Sequence, residues 1–118
     1  MKKTLVLGAS NNPERYAYKA IKLLLQNGHN VVAFGIKQGE VLGQKIVSEY
    51  TEKDIDTVTL YLSPSNQQQW YDLIFALHPK RIIFNPGTEN EELAQLAQNK
   101  GIETEEACTL VLLNTHQY

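Results

Sequence analysis

The fold is decided by residues 4–34, TLVLGASNNPERYAYKAIKLLLQNGHNVVAF. The stretch begins with an apolar run, Thr4–Gly8, of the kind that is buried on both faces of a parallel sheet. A helical stripe of apolar residues follows and ends at Gly28, and Val31–Phe34 is a second short apolar run. A strand, a helix and a strand in this order predict two parallel strands joined by a right-handed crossover.

The turn between the first strand and the helix is formed by residues 8–13, GASNNP. Asn12 is a suitable N-cap and Pro13 fits the first helical position, so the helix is predicted to begin there. Backbone N–H groups and the helix dipole make such a corner an anion site. Gly8 allows the tight turn, and Ser10 and the asparagines add side-chain donors. The alternative is a plain turn that only caps its own helix.

The remainder of the chain continues the alternation of strands and helices. Further strands are predicted at Val58–Leu62, Ile82–Phe84 and Ile102–Ala107, with helices between them. Five strands alternating with helices predict an α/β fold: a Rossmann-like, doubly wound parallel sheet of order 3-2-1-4-5, in a single domain over residues 1–118. The tail, Thr109–Leu113, fits a short helix or a strand equally well.

Ligands bind such sheets at the carboxyl ends of the strands, where the winding reverses. We therefore expect the loops after Phe34, Leu62 and Phe84 to converge beside Gly8.

Composition excludes several classes of partner. A formal net charge of −2 over 118 residues gives no basic face for nucleic acid. No apolar run approaches the roughly 20 residues that span a bilayer, and the run after Met1–Lys3 is too short for a signal peptide. A single cysteine, Cys108, suits a reducing compartment, so we expect a cytoplasmic protein. The three histidines lack metal-site spacing, so no metal is expected.

The turn after the first strand departs from the dinucleotide fingerprint G-x-G-x-x-G, because Ser10 and Pro13 stand where that fingerprint has glycines. The acidic residue that binds the NAD ribose should follow the second strand, where this chain has Gly35-Ile36-Lys37. A lysine there attracts phosphate, although a solvated loop position is the common alternative for a single lysine. Both features disfavour NAD and favour a ligand with an extra phosphate.

Short motifs occur in a fixed order along the chain: Val6–Ser10, Asn12–Tyr16, Glu40–Gly43, Ser63–Ser65, Asn85–Gly87 with Glu91-Glu92, and Glu106–Cys108. Together they resemble the small stand-alone CoA-binding proteins, which are similar to the N-terminal domain of the succinyl-CoA synthetase alpha subunit. The resemblance covers essentially the whole chain, and the order of the motifs is more specific than any one of them. One departure is Gly35-Ile36, where an Asn-Pro pair usually precedes the basic residue.

The resemblance implies that the chain binds coenzyme A (CoA) or an acyl-CoA. It implies that the β–α turn holds a CoA phosphate, that the lysine after the second strand assists at the adenosine-phosphate end, and that the later loops line the pantetheine or adenine path and the far side of the groove. The expected site residues are Gly8, Ala9, Ser10, Asn12, Arg15, Lys37, Leu62, Ser63, Pro64, Asn85 and Pro86.

No motif in the sequence carries a catalytic centre. Cys108 follows Glu105 and Glu106, whose charges disfavour a reactive thiolate, so a buried, unreactive cysteine is expected. We therefore expect a binding module without catalysis of its own. The alternative from another class is a nucleotide- or NAD(P)-linked enzyme, or a subunit of an acyl-CoA enzyme acting with a partner chain. Tyr71 and Phe75 widen an apolar helix face, which leaves a homodimer open.

Overall fold

A central, mostly parallel sheet organises the chain. A computed structural model describes residues 2–118. Its strands are β1 (Lys3–Leu7), β2 (Asn30–Phe34), β3 (Glu40–Val41), β4 (Gln44–Val47), β5 (Thr57–Leu60), β6 (Arg81–Phe84) and β7 (Glu103–Glu106). Its helices are α1 (Tyr16–Gln26), α2 (Pro64–Gln67), α3 (Tyr71–Ala76), α4 (Glu91–Asn99) and α5 (Thr109–Asn114). The sheet order is β3-β4-β2-β1-β5-β6-β7, and the β3–β4 pair is antiparallel. The chain is a single-domain, Rossmann-like α/β fold.

The predicted number and order of strands are both wrong. Residues 2–118 form a sheet of seven strands rather than five. The strand expected third, β5, lies beside β1, with Leu5 opposite Val58, instead of beyond β2. The place beyond β2 is taken by β4, whose Ile46 and Val47 pair with the end of β2. The winding therefore reverses between β1 and β5, and the crevice opens at their carboxyl ends.

Successive side chains of the strands point to opposite faces of the sheet, and each face has its own core. On one face, Leu5 and Leu7 of β1 pack with Ile74 of α3 and Leu93 of α4. On the other, Val6 packs against residues of α1 and α5, among them Ile21, Leu24 and Leu113. The strands β1, β5 and β6 are almost entirely buried, which agrees with helices covering both faces of the sheet.

The helix boundaries differ from the expected ones at the groove. The first helix begins at Tyr16, three residues after Pro13, with Arg15 rather than Asn12 as its N-cap. The helix expected after β5 is divided into α2 and α3 by a 3-10 turn over Gln68–Trp70. The segment Thr109–Leu113, which the sequence left open as a helix or a strand, belongs to the helix α5.

Tyr71 and Phe75 are half-buried against the core. The Tyr71 hydroxyl donates to Glu92 at 3.1 Å and accepts from Asn90 at 2.8 Å. Both side chains therefore pack partly against the core of the chain itself. No helix of residues 2–118 is both long and apolar enough to cross a membrane.

Candidate functional site

The loops after β1, β2, β5 and β6 converge around Gly8, where they enclose two adjoining cavities. The central cavity has a volume of about 380 Å³ and lies between the start of α1, Ser63 and Pro86. The β2-side cavity has a volume of about 250 Å³ and is lined by residues that include Gly35, Ile36 and Trp70. Gly8 and Leu62 line both cavities, so the two form one groove across the carboxyl edge of the sheet.

Gly8 lies between these two cavities. Its φ of +98° lies in the region that favours glycine, and a Cβ there would stand 3.1 Å from the Leu62 side chain and from the Tyr61 carbonyl carbon. The N–H groups of Gly8 and Ala9 both donate to the Phe34 carbonyl at 2.9 Å. These two amides therefore tie β1 to β2 and are already paired. An anion in the central cavity needs other donors.

Those donors lie at the start of α1, an 11-residue helix. Its N-cap, Arg15, is extended and makes no side-chain capping bond, which leaves the first-turn N–H groups without an intrahelical partner. Arg15, Tyr16 and Ala17 all line the central cavity, so the positive end of the helix faces it. Ser10 lines the same cavity from the β1 turn. This arrangement is suited to phosphate.

Asn12, Lys37 and Pro64 lie outside the lining of the two cavities. The Asn12 side chain accepts from the Glu14 N–H at 3.0 Å, and the Asn12 N–H donates to the Ser10 hydroxyl at 3.1 Å. Asn12 thus shapes the turn before α1. Lys37 is exposed and follows Ile36, which lines the β2-side cavity and is itself 84% exposed. Pro64 is the first residue of α2 and is exposed.

Asn85 also lies outside the lining of these two cavities; it is 2% exposed just after β6 and precedes Pro86, which lines the central cavity at the far wall of the groove. Its Nδ2 donates to the Thr59 hydroxyl at 2.6 Å and to the Leu60 carbonyl at 2.8 Å. Its Oδ1 accepts from the Thr109 N–H at 2.9 Å, and the Thr59 and Thr109 hydroxyls share a bond of 2.8 Å. We call these three side chains the Asn85 cluster. Asn85 therefore joins β5, β6 and α5, and its amide has no free donor for a ligand.

Gln67 ties the two neighbouring loops together and was missed by sequence reasoning. It is fully buried at the end of α2, and its Nε2 donates to the Leu62 and Thr88 carbonyls, both at 2.8 Å. Its Oε1 accepts from Asn90 at 2.9 Å. A glutamine inside the polar run Asn66–Gln69 gives no signal of burial, because its polar neighbours are exposed. Only the fold reveals its role.

Residues 2–114 match the model of the family described as "CoA binding domain". The chain belongs to this family. A crystal structure of an uncharacterised protein is 50% identical, with a TM-score of 0.97 over 100% of this chain and 98% of that one. A hypothetical protein from Pyrococcus horikoshii OT3 is 29% identical, with a TM-score of 0.83 over 98% of this chain and 81% of its own. A conserved hypothetical protein from Pyrococcus furiosus is 28% identical, with a TM-score of 0.77 over 89% and 92%.

A third cavity continues the groove of this CoA binding domain past Pro86. It has a volume of about 210 Å³ and is lined by Tyr16, Tyr61, Asn85, Pro86, Cys108 and Leu110. We call it the Cys108 cavity. Tyr16, Tyr61 and Pro86 also line the central cavity, so the two spaces adjoin. Cys108, expected to be buried, is half-buried at the wall of this cavity.

Tyr61 lines both of these cavities, and its hydroxyl is buried and has no hydrogen-bond partner among residues 2–118. Burial raises the pKa of this phenol to about 12, so it stays neutral at physiological pH. Within the same residues, no group of three or more His, Cys, Asp or Glu side chains is placed to hold a metal ion.

Proposed function

We propose that this chain binds CoA or an acyl-CoA in the groove along the carboxyl ends of β1, β5 and β6, without catalysis of its own. The observation that carries the proposal is the uncapped start of α1, which faces the central cavity in a member of the CoA binding domain family. Free first-turn amides and a helix dipole provide the donors that a diphosphate requires.

The rest of the ligand follows from the position of the diphosphate. In Rossmann-like sheets the adenosine lies towards the end of the second strand. We therefore assign the adenosine to the β2-side cavity, where Ile36, Leu62 and Trp70 offer apolar surface to a base. Lys37 follows Ile36 and is free to reach a 3′-phosphate. The pantetheine arm then extends the other way, through the central cavity towards Pro86.

The side chains of the groove support binding rather than catalysis. Residues that line the central, β2-side and Cys108 cavities include no Asp, Glu or His within the described part of the chain. These are the usual side chains for proton transfer near neutral pH. The Asn85 amide already bonds to Thr59, Leu60 and Thr109, and the Tyr61 hydroxyl is buried.

The test is calorimetric titration of nucleotide-free protein with CoA, dephospho-CoA and NAD at one salt concentration. We expect CoA to bind and dephospho-CoA to bind about tenfold or more weakly, because a charge-assisted bond is worth about 1.5–3 kcal/mol. NAD should be the weakest of the three. Tighter binding of NAD would favour the nicotinamide-linked alternative, and no binding of any of them would refute the proposal.

Variants assign the phosphate contacts. Arg15→Ala should weaken both CoA and dephospho-CoA, whereas Lys37→Ala should weaken CoA alone, each about fivefold or more. Lys22→Ala is the matched control, since Lys22 is exposed on α1 and lines none of the three cavities. Equal affinities for Lys37→Ala and Lys22→Ala would show that Lys37 makes no contact with the ligand.

A further inference from the structure

The Cys108 cavity is larger than a free thiol needs. The pantetheine arm of CoA ends in a single sulfhydryl, whereas the cavity holds about 210 Å³. At roughly 30 Å³ for each water-sized group, this volume has room for about seven non-hydrogen atoms. Free CoA would leave most of that space to water.

The walls of the cavity suit an apolar occupant. Leu110, Pro86 and the ring of Tyr61 present carbon, and Cys108 presents a weakly polar thiol. Among the described residues that line it, Asn85 carries the one side-chain amide, and its Nδ2 and Oδ1 already bond to Thr59, Leu60 and Thr109. Water there would find few partners, so an apolar group gains by displacing it.

We propose that the Cys108 cavity holds a short acyl group, and that the physiological ligand is a short-chain acyl-CoA rather than free CoA. This inference rests on the proposed function, because the acyl group reaches the cavity only when pantetheine passes through the central cavity. The two spaces adjoin at Tyr16, Tyr61 and Pro86, which line both of them.

The expected preference follows from the apolar surface that is buried. Each methylene that leaves water tightens binding by up to about fourfold. A butyryl group fits the volume, so butyryl-CoA should bind at least fivefold more tightly than CoA. A palmitoyl chain exceeds the volume and should gain nothing further over butyryl.

The experiment measures the ratio of the CoA Kd to the butyryl-CoA Kd by calorimetry. Filling the cavity with Cys108→Phe should bring this ratio to within twofold of one. Leu110→Trp fills it from another wall and serves if the first variant folds poorly. The matched control is Val111→Phe, because Val111 follows Leu110 on α5, is 55% exposed and lies outside the lining of the cavity. This control should keep the wild-type ratio.

The outcomes separate the two proposals. A wild-type ratio near one, with CoA bound, would overturn the acyl inference and leave the CoA-binding function standing. A high ratio that persists in both filled variants would also overturn it, since the acyl group would then lie elsewhere. Absence of binding by either ligand would overturn both proposals.

Discussion

Replacing Asn85 by alanine tests whether the far wall of the groove is a buried polar framework. The substitution removes the bonds to Thr59, Leu60 and Thr109 while leaving their strands and helix in place. The Thr59 hydroxyl keeps the Thr109 hydroxyl as a partner. The Thr109 N–H at the start of α5 loses the Asn85 oxygen, and Thr109 itself is fully buried.

The size of the effect follows from the groups that are left unpaired. A buried donor or acceptor without its partner costs about 1–3 kcal/mol, and here one amide and one carbonyl each lose a bond. We therefore expect Asn85→Ala to lower the free energy of unfolding by about 3 kcal/mol. With a urea m-value of roughly 1–3 kcal/mol/M, the midpoint should fall by about 1–3 M.

The assay is urea unfolding followed by the fluorescence of Trp70, the one tryptophan, whose ring meets Phe34 edge-on at 5.1 Å. Asn99→Ala is the matched control, because Asn99 is exposed at the end of α4 and bonds only to Gln95 among the side chains described. It should change stability by less than about 0.5 kcal/mol. If Asn85→Ala behaved like Asn99→Ala, with unchanged m-values, the Asn85 cluster would not fix the wall.

Two further predictions concern Gly8, at the carboxyl edge of the sheet, and His29, at its amino edge. In urea unfolding, Gly8→Ala should lower the free energy of unfolding by about 3 kcal/mol and Gly101→Ala by about 1 kcal/mol. Both glycines have a positive φ, but of the two only Gly8 has neighbours near the added methyl group. Equal losses would show that the methyl group at position 8 is not crowded. Burial lowers the pKa of His29, whose Nδ1 accepts from the Lys2 N–H at 3.3 Å, so unfolding releases a group that binds protons more readily. The free energy of unfolding should therefore fall as pH drops through about 6.5, the ordinary imidazole pKa. His29→Gln should reduce this decline, measured as the urea midpoint between pH 7.5 and 5.5. The same decline in the variant as in the wild type would contradict the prediction.

The centre of the fold was predictable because its elements carry strong periodicity. The run Thr4–Gly8 and the apolar stripe that ends at Gly28 gave the first strand, helix and crossover. The predicted strand order was wrong because it lacked β4, in which Ile46 is the one buried residue of four. The position of β4 depends on the pairing of Ile46 and Val47 with Ala33 and Phe34 of β2, which local sequence does not encode. The predicted order, which lacks β4, puts the third predicted strand beyond β2, where the structure has β4.

The groove was partly predictable for a related reason. Loops after parallel strands meet at one edge of the sheet, and those after Phe34, Leu62 and Phe84 do meet at Gly8. The partners of individual polar atoms were not predictable. Gln67 meets Thr88 across 21 residues, and Thr59 meets Thr109 across 50. Such pairs exist only once the tertiary structure has formed.

The two sides of the groove are held in different ways, and this difference bears on ligand binding. The β5–β6 side is held by bonds of Asn85 and Gln67, whose side chains are buried. The α1 side depends on exposed local bonds around Asn12 and on an uncapped helix start. A bound anion would supply the missing partners of that helix start. Part of the binding free energy would then stabilise the turn before α1, so ligand affinity and the local stability of residues 10–16 are linked.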